Sequence, residues 1–234
     1  MLTSNKLTIA TWNTNGPARN RSKHAHLAAI NFDVAALQEC EASPLGNRVN
    51  TVSIPFTHGN GERCLAILSP HRLSPVHGTP ECSVAAYVDG PSGSFLFVSL
   101  WIKPIESGAG TYRYVRRLPP IFDWAKEEAG SLPIVIAGDF NCNGGFAGGK
   151  GKEFSRLAET WKTSHGIASA WHQHSNLPMG TGEDPTWCSL IRRDTPEYMI
   201  DYIFVPTRWS VDMVRVQESY GSDHRPLIAD MRVL

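Results

Sequence analysis

Acidic and amide side chains follow several short apolar runs in this sequence, in positions suited to metal or acid–base chemistry. The clearest case is residues 134–141, IVIAGDFN, where β-branched residues precede a glycine and then Asp139 and Asn141. Side chains two positions apart on an extended segment point the same way, so these two groups are predicted to share one face of a strand end. By itself the pattern fits an Asx turn equally well. Whether this pattern marks a functional site depends on whether other predicted strands end in the same way.

The same arrangement recurs at other predicted strands. These strands cover residues 7–13, 32–37, 199–205 and 227–233. Each has an acid, an amide or a histidine at or near one end, and buried strands commonly present reactive groups in this way. We predict that these groups gather at one rim of the molecule, and the set comprises Asn13, Asn15, Glu39, Asp139, Asn141, Asp201, Asp223 and His224.

The rest of the pattern gives the elements that must hold this rim. Apolar spacing predicts helices over residues 21–30, 120–129 and around 154–161. Strand-like runs separated by proline, glycine and aspartate turns predict an antiparallel meander over residues 65–68, 83–88 and 94–102. This order of elements is compatible with two packed mixed sheets flanked by helices. No repeat, low-complexity tract or composition shift marks a linker, so residues 1–234 are predicted to form one domain.

Composition places the chain among ordinary globular proteins, with 234 residues of which 41% are hydrophobic and 19% are charged. Lys plus Arg equals Asp plus Glu at 22 each, so any affinity for nucleic acid must come from local patches. The apolar runs are too short to span a bilayer, the first residues lack a signal-peptide pattern, and the cysteines show no paired spacing. We therefore expect a cytoplasmic monomer with reduced thiols and no membrane partner.

Five short fragments resemble, in their order along the chain, the endonuclease/exonuclease/phosphatase family, also called DNase-I-like. They are Trp12-Asn13, Leu37-Gln38-Glu39, Gly138-Asp139-Phe140-Asn141, Ile200-Asp201-Tyr202 and Ser222-Asp223-His224-Arg225-Pro226. Each fragment is short, but together they extend from position 12 to position 226. The resemblance implies an α/β (α+β) fold, a four-layered sandwich of two packed mixed β-sheets flanked by helices. It also implies hydrolysis of a phosphate ester with a divalent metal, usually magnesium.

The resemblance assigns roles to the polar groups, and their chemistry agrees with those roles. Hard cations such as Mg²⁺, for which Mn²⁺ can substitute, take carboxylate and amide oxygens. Glu39 is the first candidate ligand, Asn13 lies beside it, and Asp223 is expected to assist at the metal or orient its neighbours. By similarity to the family, Asp139 is expected to orient or deprotonate the attacking water. Asn141 is expected to position that water or hold a phosphate oxygen.

His224 is predicted to pair with Asp201. A carboxylate within an apolar strand needs a partner, because an unpaired buried charge is costly. Such a pair would favour the imidazolium form of the histidine, which can donate a hydrogen bond to a phosphate oxygen as negative charge develops. The resemblance thus implies a catalytic role for both side chains.

Three further positions are candidate contacts to the substrate phosphate or base, and two of them depart from the family pattern. Trp101 stands where the family commonly has histidine, or tyrosine in some DNA-repair members, and indole offers only one hydrogen-bond donor. Either Trp101 contacts a phosphate or base, or it packs in the core and the phosphate is held elsewhere. Arg113 is a candidate for that task because guanidinium pairs bidentately with phosphate. Asn15 replaces an aspartate ligand of some nuclease members, which favours a single tight metal.

A glycine-rich segment over residues 144–151 nearly spells a phosphate-binding loop. Gly151 stands where such a loop has the serine or threonine that holds Mg²⁺, so a nucleotide hydrolase is disfavoured. We predict instead a flexible loop beside the active site. Its lysines, Lys150 and Lys152, would be available to a nucleic-acid backbone.

The sequence therefore predicts a phosphoric ester hydrolase that depends on Mg²⁺ or Mn²⁺, namely a nuclease acting on DNA. It leaves open whether the enzyme is an endonuclease or an exonuclease. A phosphatase or phosphodiesterase for a small phosphorylated molecule or lipid headgroup is one alternative, and the neutral net charge suits it better. A non-catalytic nucleic-acid-binding relative is the other, and the intact set of catalytic residue types argues against it.

Overall fold

The computed structural model describes residues 5–16, 20–58, 61–104, 114–147, 149–189 and 196–233. Within these ranges, the α-helices are α1 (Asn20–Ala29), α2 (Leu118–Ala129), α3 (Gly149–Ser164) and α4 (Ala170–Ser175). The strands of the first half are β1 (Lys6–Asn13), β2 (Val34–Cys40), β3 (Asn50–His58), β4 (Gly61–Ser69), β5 (Arg72–Val76) and β6 (Ser83–Gly90). The later strands are β7 (Gly93–Trp101), β8 (Ile134–Asp139), β9 (Ile167–Ser169), β10 (Asp201–Pro206), β11 (Ser210–Val216) and β12 (Leu227–Arg232).

The strands form two six-stranded sheets, both of mixed direction. The first sheet has the order β11-β12-β1-β2-β4-β3, and the second has the order β5-β6-β7-β8-β10-β9. In the first sheet β1 is parallel to β2 and antiparallel to β12. In the second sheet β8 is parallel to β7 and antiparallel to β10. The prediction of two mixed sheets is confirmed.

Alternation of side chains along the first sheet separates its two faces, as expected for strands with a period of two. The inner face packs against the second sheet and carries Leu7, Ile9, Val34, Ala36, Leu65 and Ile67. The outer face packs under α1 and carries Ala10, Trp12, Ala35, Leu37, Ala66 and Leu68. Both faces are therefore apolar, and helix α1 forms the first of the outer layers.

Aromatic side chains cover the outer face of the second sheet. Phe122 of α2 stacks on Trp161 of α3 with ring centroids 3.6 Å apart, and it meets Phe204 of β10 edge-on at 5.4 Å. Helices α2 and α3 thus form the fourth layer, which confirms the four-layered sandwich. Helix α2 begins two residues before the predicted start, because its two prolines occupy the first turn, where no backbone N–H donor is needed.

The predicted meander is wrong in one respect. Its first run, residues 65–68, lies in β4 and pairs with β2 and β3 of the first sheet, whereas β6 and β7 form a hairpin in the second sheet. The two edge strands β3 and β5 were not predicted. Each contains a proline, Pro55 or Pro75, which a sheet tolerates at its edge but which weakens the sequence signal for a strand.

Two further findings concern the thiols and the helices. All five cysteines carry free thiols, and Cys40 lies opposite Cys64 in the pairing of β2 with β4. No helix within the described ranges is both long and apolar enough to cross a membrane.

Candidate active site

The two sheets are joined at one rim by a hydrogen bond between their central strands. Asn13 is the last residue of β1 and points inward by the same alternation as Leu7 and Ile9. Its Nδ2 donates to Oδ2 of Asp139, the last residue of β8 in the other sheet, at 3.0 Å. Both side chains are buried. The predicted gathering of polar strand ends therefore occurs where β1 and β8 meet.

Glu39 reaches this rim because β2 bulges. Between Leu37 and Cys40 two residues of β2 oppose a single residue of β4, and Glu39 has a positive φ of 53°. By simple alternation Glu39 would follow Leu37 to the outer face, under α1. A bulge re-aims a side chain, and here the carboxylate instead accepts a hydrogen bond from Asn13 Nδ2 to its Oε1 at 3.1 Å.

Asn13 connects the two carboxylates and the loop that follows β1. Its Nδ2 donates to both Glu39 and Asp139, while its Oδ1 accepts from the backbone N–H of Asn15 at 3.0 Å. Asn15 has a φ of 51°, which an asparagine tolerates better than most residues. Lys23 is buried, and its ammonium group donates to the carbonyls of Thr14 and Gly16. These two hydrogen bonds hold the loop in place.

Asp139 is held in one orientation by its neighbours. The backbone N–H of Asn141 donates to its Oδ1 at 2.9 Å, and Asn141 Nδ2 donates to its Oδ2 at 3.2 Å and to the carbonyl of Ile102 at 3.0 Å. The strand ends at Asp139 and Asn141 has a φ of 49°, so the two side chains are brought together by the Asx turn that the pattern also allowed and not by alternation along a strand. Burial raises the pKa of Asp139 to about 7, an effect that Asp201 reinforces and that His224 and the hydrogen bonds to Asp139 oppose.

Gly138 allows Asp139 to occupy this place. Its φ is +148°, and a Cβ added there would lie 2.0 Å from the carbonyl oxygen of Leu100 on the adjacent strand. Only glycine fits such an approach of two backbones. The strand β8 can therefore run close beside β7 up to Asp139.

His224 and Asp201 form the predicted pair. His224 Nδ1 donates to Asp201 Oδ2 at 2.8 Å, and His224 Nε2 lies 3.9 Å from Asp139 Oδ2. Burial disfavours the charged imidazole, but the carboxylates of Asp201 and Asp139 outweigh it and raise the pKa of His224 to about 9. We call these three residues the Asp–His cluster. Its histidine is protonated at neutral pH.

Three supporting residues were not predicted as part of the site. Ser222 Oγ accepts from the backbone N–H of His224 and donates to the carbonyl of Asn13 at 2.7 Å. Trp12 Nε1 donates to the carbonyl of His224 at 3.0 Å. Thr186 Oγ1 accepts from the backbone N–H groups of Ile200 and Asp201. Trp12 and Ser222 lie within the quoted motifs, whereas no sequence signal marks Thr186.

A divalent cation fits this rim at Glu39 better than at the Asp–His cluster. Ligand atoms of the cluster lie within 4.8 Å of one another, but a protonated imidazole has no lone pair for a metal. Glu39 is mostly buried, and the guanidinium of Arg63 forms an ion pair with its Oε2. The mostly buried carboxylate of Glu39 thus already requires a positive charge beside it. Carboxylate and amide oxygens, with Asn13 beside Glu39, are the ligands that suit Mg²⁺.

The other predicted positions differ in how they relate to this rim. Asp223 is half-buried and acts on His224 through its charge, raising the pKa of that histidine. Trp101 pairs with Asp139 across β7 and β8, but it is only 4% exposed and packs in the core. Arg113 lies outside the described residues. The prediction of a flexible loop is wrong for the two lysines, because Lys150 and Lys152 lie in the first turn of α3. Lys150 does line a small cleft together with Asn141.

Lys103 was not predicted as a site residue. Its ammonium lies 4.1 Å from the centroid of the Trp101 ring, a cation–π contact. Burial lowers the pKa of Lys103, and the charge of Arg63 lowers it further, so the two cations lie close to one another. Arg63 thus contacts a carboxylate of the rim directly, and Lys103 lies within electrostatic range of Arg63.

Comparisons with known proteins identify the family and the fold of this chain. A sequence model described as the Endonuclease/Exonuclease/phosphatase family matches residues 10–224. The endonuclease/exonuclease/phosphatase structure from Beutenbergia cavernae DSM 12333 is 17% identical, with a TM-score of 0.66 over 97% of this chain and 72% of that one. No curated protein sequence matches significantly.

Two further solved structures share the fold. D. rerio TDP2 complexed with single strand DNA product is 16% identical, with a TM-score of 0.70 over 97% of this chain and 99% of that one. The endonuclease domain of TRAS1, a telomere-specific non-LTR retrotransposon, is also 16% identical, with a TM-score of 0.64 over 97% of this chain and 98% of that one. At such identities the likeness establishes the fold.

Proposed function

This chain belongs to the endonuclease/exonuclease/phosphatase family, and we propose that it is a divalent-metal-dependent phosphodiesterase that cleaves DNA. The observation that carries this proposal is the Asp–His cluster, in which a buried imidazole faces a second carboxylate across 3.9 Å. The charged donor, His224, and the proton acceptor, Asp139, thus face the same small space between them. Hydrolysis of a phosphate ester needs both groups at the reacting phosphate.

Asp139 is the group that we assign to the attacking water. Asn13 and Asn141 hold its carboxylate from two sides, so its orientation is fixed before a substrate binds. Its raised pKa is close to neutral, and a base whose pKa is near the working pH accepts a proton efficiently. The oxygen of the water attacks phosphorus while the P–O bond to the leaving sugar oxygen breaks. The proton of the water passes to Asp139, and the leaving oxygen takes a proton from solvent.

His224 is proposed to stabilise the charge that develops on the phosphate. Its Nδ1–H is committed to Asp201, which keeps the ring oriented and protonated, while Nε2 faces the space next to Asp139. From there Nε2–H can donate to a non-bridging phosphate oxygen. Asn141, whose amide is anchored on the Ile102 carbonyl, is proposed to help position the water.

Glu39 and Asn13 are proposed to hold the divalent cation, which is Mg²⁺ or, as a substitute, Mn²⁺. When bound there, the cation supplies positive charge to a phosphate oxygen. Arg63, which pairs with the other oxygen of the Glu39 carboxylate, would compete with that cation for Glu39, and its guanidinium would be able to pair with a phosphate oxygen. Asp223 contributes negative charge beside His224.

Lys103 is proposed to replace the phosphate contact that the family commonly makes with histidine or tyrosine. Trp101, which stands at that position, is almost fully buried and has little surface that a ligand could contact. The face of its ring, however, contacts the ammonium group of Lys103. An ammonium held near the rim can neutralise a phosphate oxygen. Asn15 and Arg113 remain proposed contacts to the substrate.

DNA is the proposed substrate because the relatives with the same fold include a TDP2 complexed with single strand DNA product and a retrotransposon endonuclease domain. The cations Arg63 and Lys103 supply local positive charge in a chain without net charge. A small phosphorylated molecule is the second candidate. The neutral net charge favours it, since no long-range field attracts a polyanion.

A substrate panel tests the proposal. Purified protein is incubated with plasmid, nicked duplex, single strands, abasic duplex and several phosphomonoesters, with Mg²⁺ and with EDTA. We expect cleavage of DNA that EDTA abolishes and that Mg²⁺ or Mn²⁺ restores. Hydrolysis of monoesters alone would favour the second candidate, while binding of DNA without turnover would favour a non-catalytic relative.

A further inference from the structure

A second concave surface adjoins the active site on the side of the first sheet. It is a cleft of about 590 Å³, within the usual size of a ligand site, and it is bordered by α1, the end of β11 and the loop before β12. The residues that matter for its chemistry are His26, Asp184, Gln217, Glu218, Tyr220 and Arg225. None of them is used in the proposed mechanism.

Two stacked aromatic rings line this cleft. The rings of His26 and Tyr220 lie 3.6 Å apart, centroid to centroid, with an interplanar angle of 21°. Tyr220 is 44% exposed, so much of the residue remains accessible although one face rests on His26. The result is a rigid aromatic platform open to solvent.

The backbone at Tyr220 is unusual for a bulky residue. Its φ is 47°, in the left-handed region that asparagine and glycine populate most readily. An exposed aromatic ring displayed on such a backbone costs free energy, and residues of this kind concentrate at ligand-binding positions. The conformation is therefore a second, independent sign that the ring has a binding partner.

Charge and hydrogen-bonding capacity decide the class of ligand. Asp184 and Glu218 are exposed carboxylates at the cleft, whereas the guanidinium of Arg225 is occupied by Glu197 and the Pro185 carbonyl. Such a surface repels a phosphate backbone. It suits a flat, uncharged ring whose amino groups donate to carboxylates, which describes a nucleobase. Burial lowers the pKa of His26, so the platform is uncharged at neutral pH.

The platform is coupled to the catalytic centre through one tryptophan. The ring of His26 meets the edge of Trp12 at 5.8 Å, and Trp12 Nε1 donates to the carbonyl of His224 at 3.0 Å. Arg225 at the cleft directly follows His224 in the chain. The cleft is thus connected to the backbone of His224 through Trp12 and through the neighbouring residue Arg225.

We propose that the His26–Tyr220 cleft is a nucleobase subsite, in which one base flanking the scissile phosphate of a single-stranded segment stacks on Tyr220. This inference rests on the proposed function and adds to it a preference for an unpaired base at one fixed position. A paired base inside a duplex cannot stack on a side chain, so the strand must be open or flexible there.

The test uses the intact protein and a ladder of labelled single-stranded oligonucleotides, each lacking one base at a different position from the cleavage point. We expect that removing one particular base lowers kcat/KM about tenfold, the effect of one base–aromatic stack. Tyr220→Asn, which removes the ring but accepts the left-handed backbone, should show the same loss with the complete oligonucleotide and no further loss when that base is absent.

Control variants separate the possible outcomes. Tyr220→Phe retains the ring and should behave as the unmodified protein, and Met213→Asn removes another exposed apolar side chain without effect. If Tyr220→Asn cleaves every oligonucleotide as well as the unmodified protein, the subsite is refuted while the nuclease stands. If the unmodified protein neither binds nor cleaves any nucleic acid, both proposals are overturned.

Discussion

At the scale of single residues, the arrangement of charge explains why two buried carboxylates can lie close together. Asp139 and Asp201 face each other across β8 and β10, and the protonated ring of His224 lies within reach of both. Like charges so near one another would not both ionise without a cation between them. The histidine is thus required both for the stability of the ionised site and for its chemistry.

The pH dependence of kcat/KM should be bell-shaped. Asp139 must lose its proton to act as a base, so the rate rises with pH as that carboxyl group, with its pKa raised by burial to about 7, ionises. His224 must keep its proton, so the rate falls above its pKa of about 9. A cation at Glu39 adds positive charge and moves the lower limb to lower pH.

This pH profile is measured with a DNA substrate at saturating Mg²⁺. Asp201→Asn should move the upper limb to lower pH, because the imidazolium loses its strongest partner. An upper limb that stays in place in this variant would show that His224 is not the group that titrates there.

Arg63 should compete with the metal for Glu39. Arg63→Gln removes the ion pair, so Mn²⁺ is expected to bind about fivefold more tightly, the equivalent of an ion pair of about 1 kcal/mol. Isothermal titration calorimetry measures this affinity without any turnover. Arg232→Gln, which breaks an exposed pair with Asp212, is the matched control and should leave it unchanged. Weaker metal binding by Arg63→Gln would instead mean that the guanidinium orients Glu39.

At the scale of elements, the site depends on irregular backbone at the ends of regular strands. Asn15, Glu39 and Asn141 all have φ near +50°, and each follows or ends a strand at the rim. Local strain of this kind is maintained by surrounding structure at functional sites. Here the buried hydrogen bonds of Asn13 and Asp139 provide that support.

Gly138→Ala should be strongly destabilising, because the added methyl group would overlap the Leu100 carbonyl on β7. We expect a loss of about 3 kcal/mol or more, in the range of severe core changes, and a loss of activity as β7 and β8 separate. Urea denaturation followed by circular dichroism measures the free energy of unfolding. Gly93→Ala has a positive φ but no atom within 4 Å, so it isolates the backbone cost. Equal losses in the two variants would contradict the steric explanation.

The sequence predicts the regular part of this arrangement and misses the irregular part. Alternation along β1 and β8 is sufficient to place Asn13 and Asp139. The cost of burying Asp201 predicts that it needs a partner, and the resemblance to the family identifies His224 as that partner. The bulge that turns Glu39 inward depends on the pairing of β2 with β4, which no local pattern encodes. For the same reason, no local pattern marks Arg63 and Lys103 as site residues, because only the packing of the two sheets brings them to the site.

At the scale of the whole molecule, the two sheets share one apolar core. Inner-face residues of the first sheet, such as Ile9 and Val34, belong to the same buried cluster as Phe97 and Ile136 of the second. We propose that residues 1–234 form a single domain. The active site lies at the rim of that shared core, so its geometry requires both sheets to be folded and in register.

Unfolding should therefore be one cooperative transition. Far-UV circular dichroism follows both sheets, while tryptophan fluorescence follows side-chain packing, to which Trp12 and Trp161 contribute on the two opposite outer faces. We expect these signals to change together in urea, since neither sheet can bury its inner face alone. Two separate midpoints would contradict a single domain. Size-exclusion chromatography on the same sample is expected to show a monomer.

Cleavage of one defined DNA substrate by Asp139→Asn and His224→Gln is the measurement that tests the proposed mechanism most directly. Each variant preserves side-chain size while removing the base or the charged donor. The rate in Mg²⁺ should fall at least about 100-fold in each, while DNA affinity in EDTA changes little. His224→Gln is also expected to lower thermal stability, because it leaves the buried Asp139 and Asp201 without a cation. Cleavage by either variant at close to the unmodified rate would contradict the assignment of that residue to the chemical step.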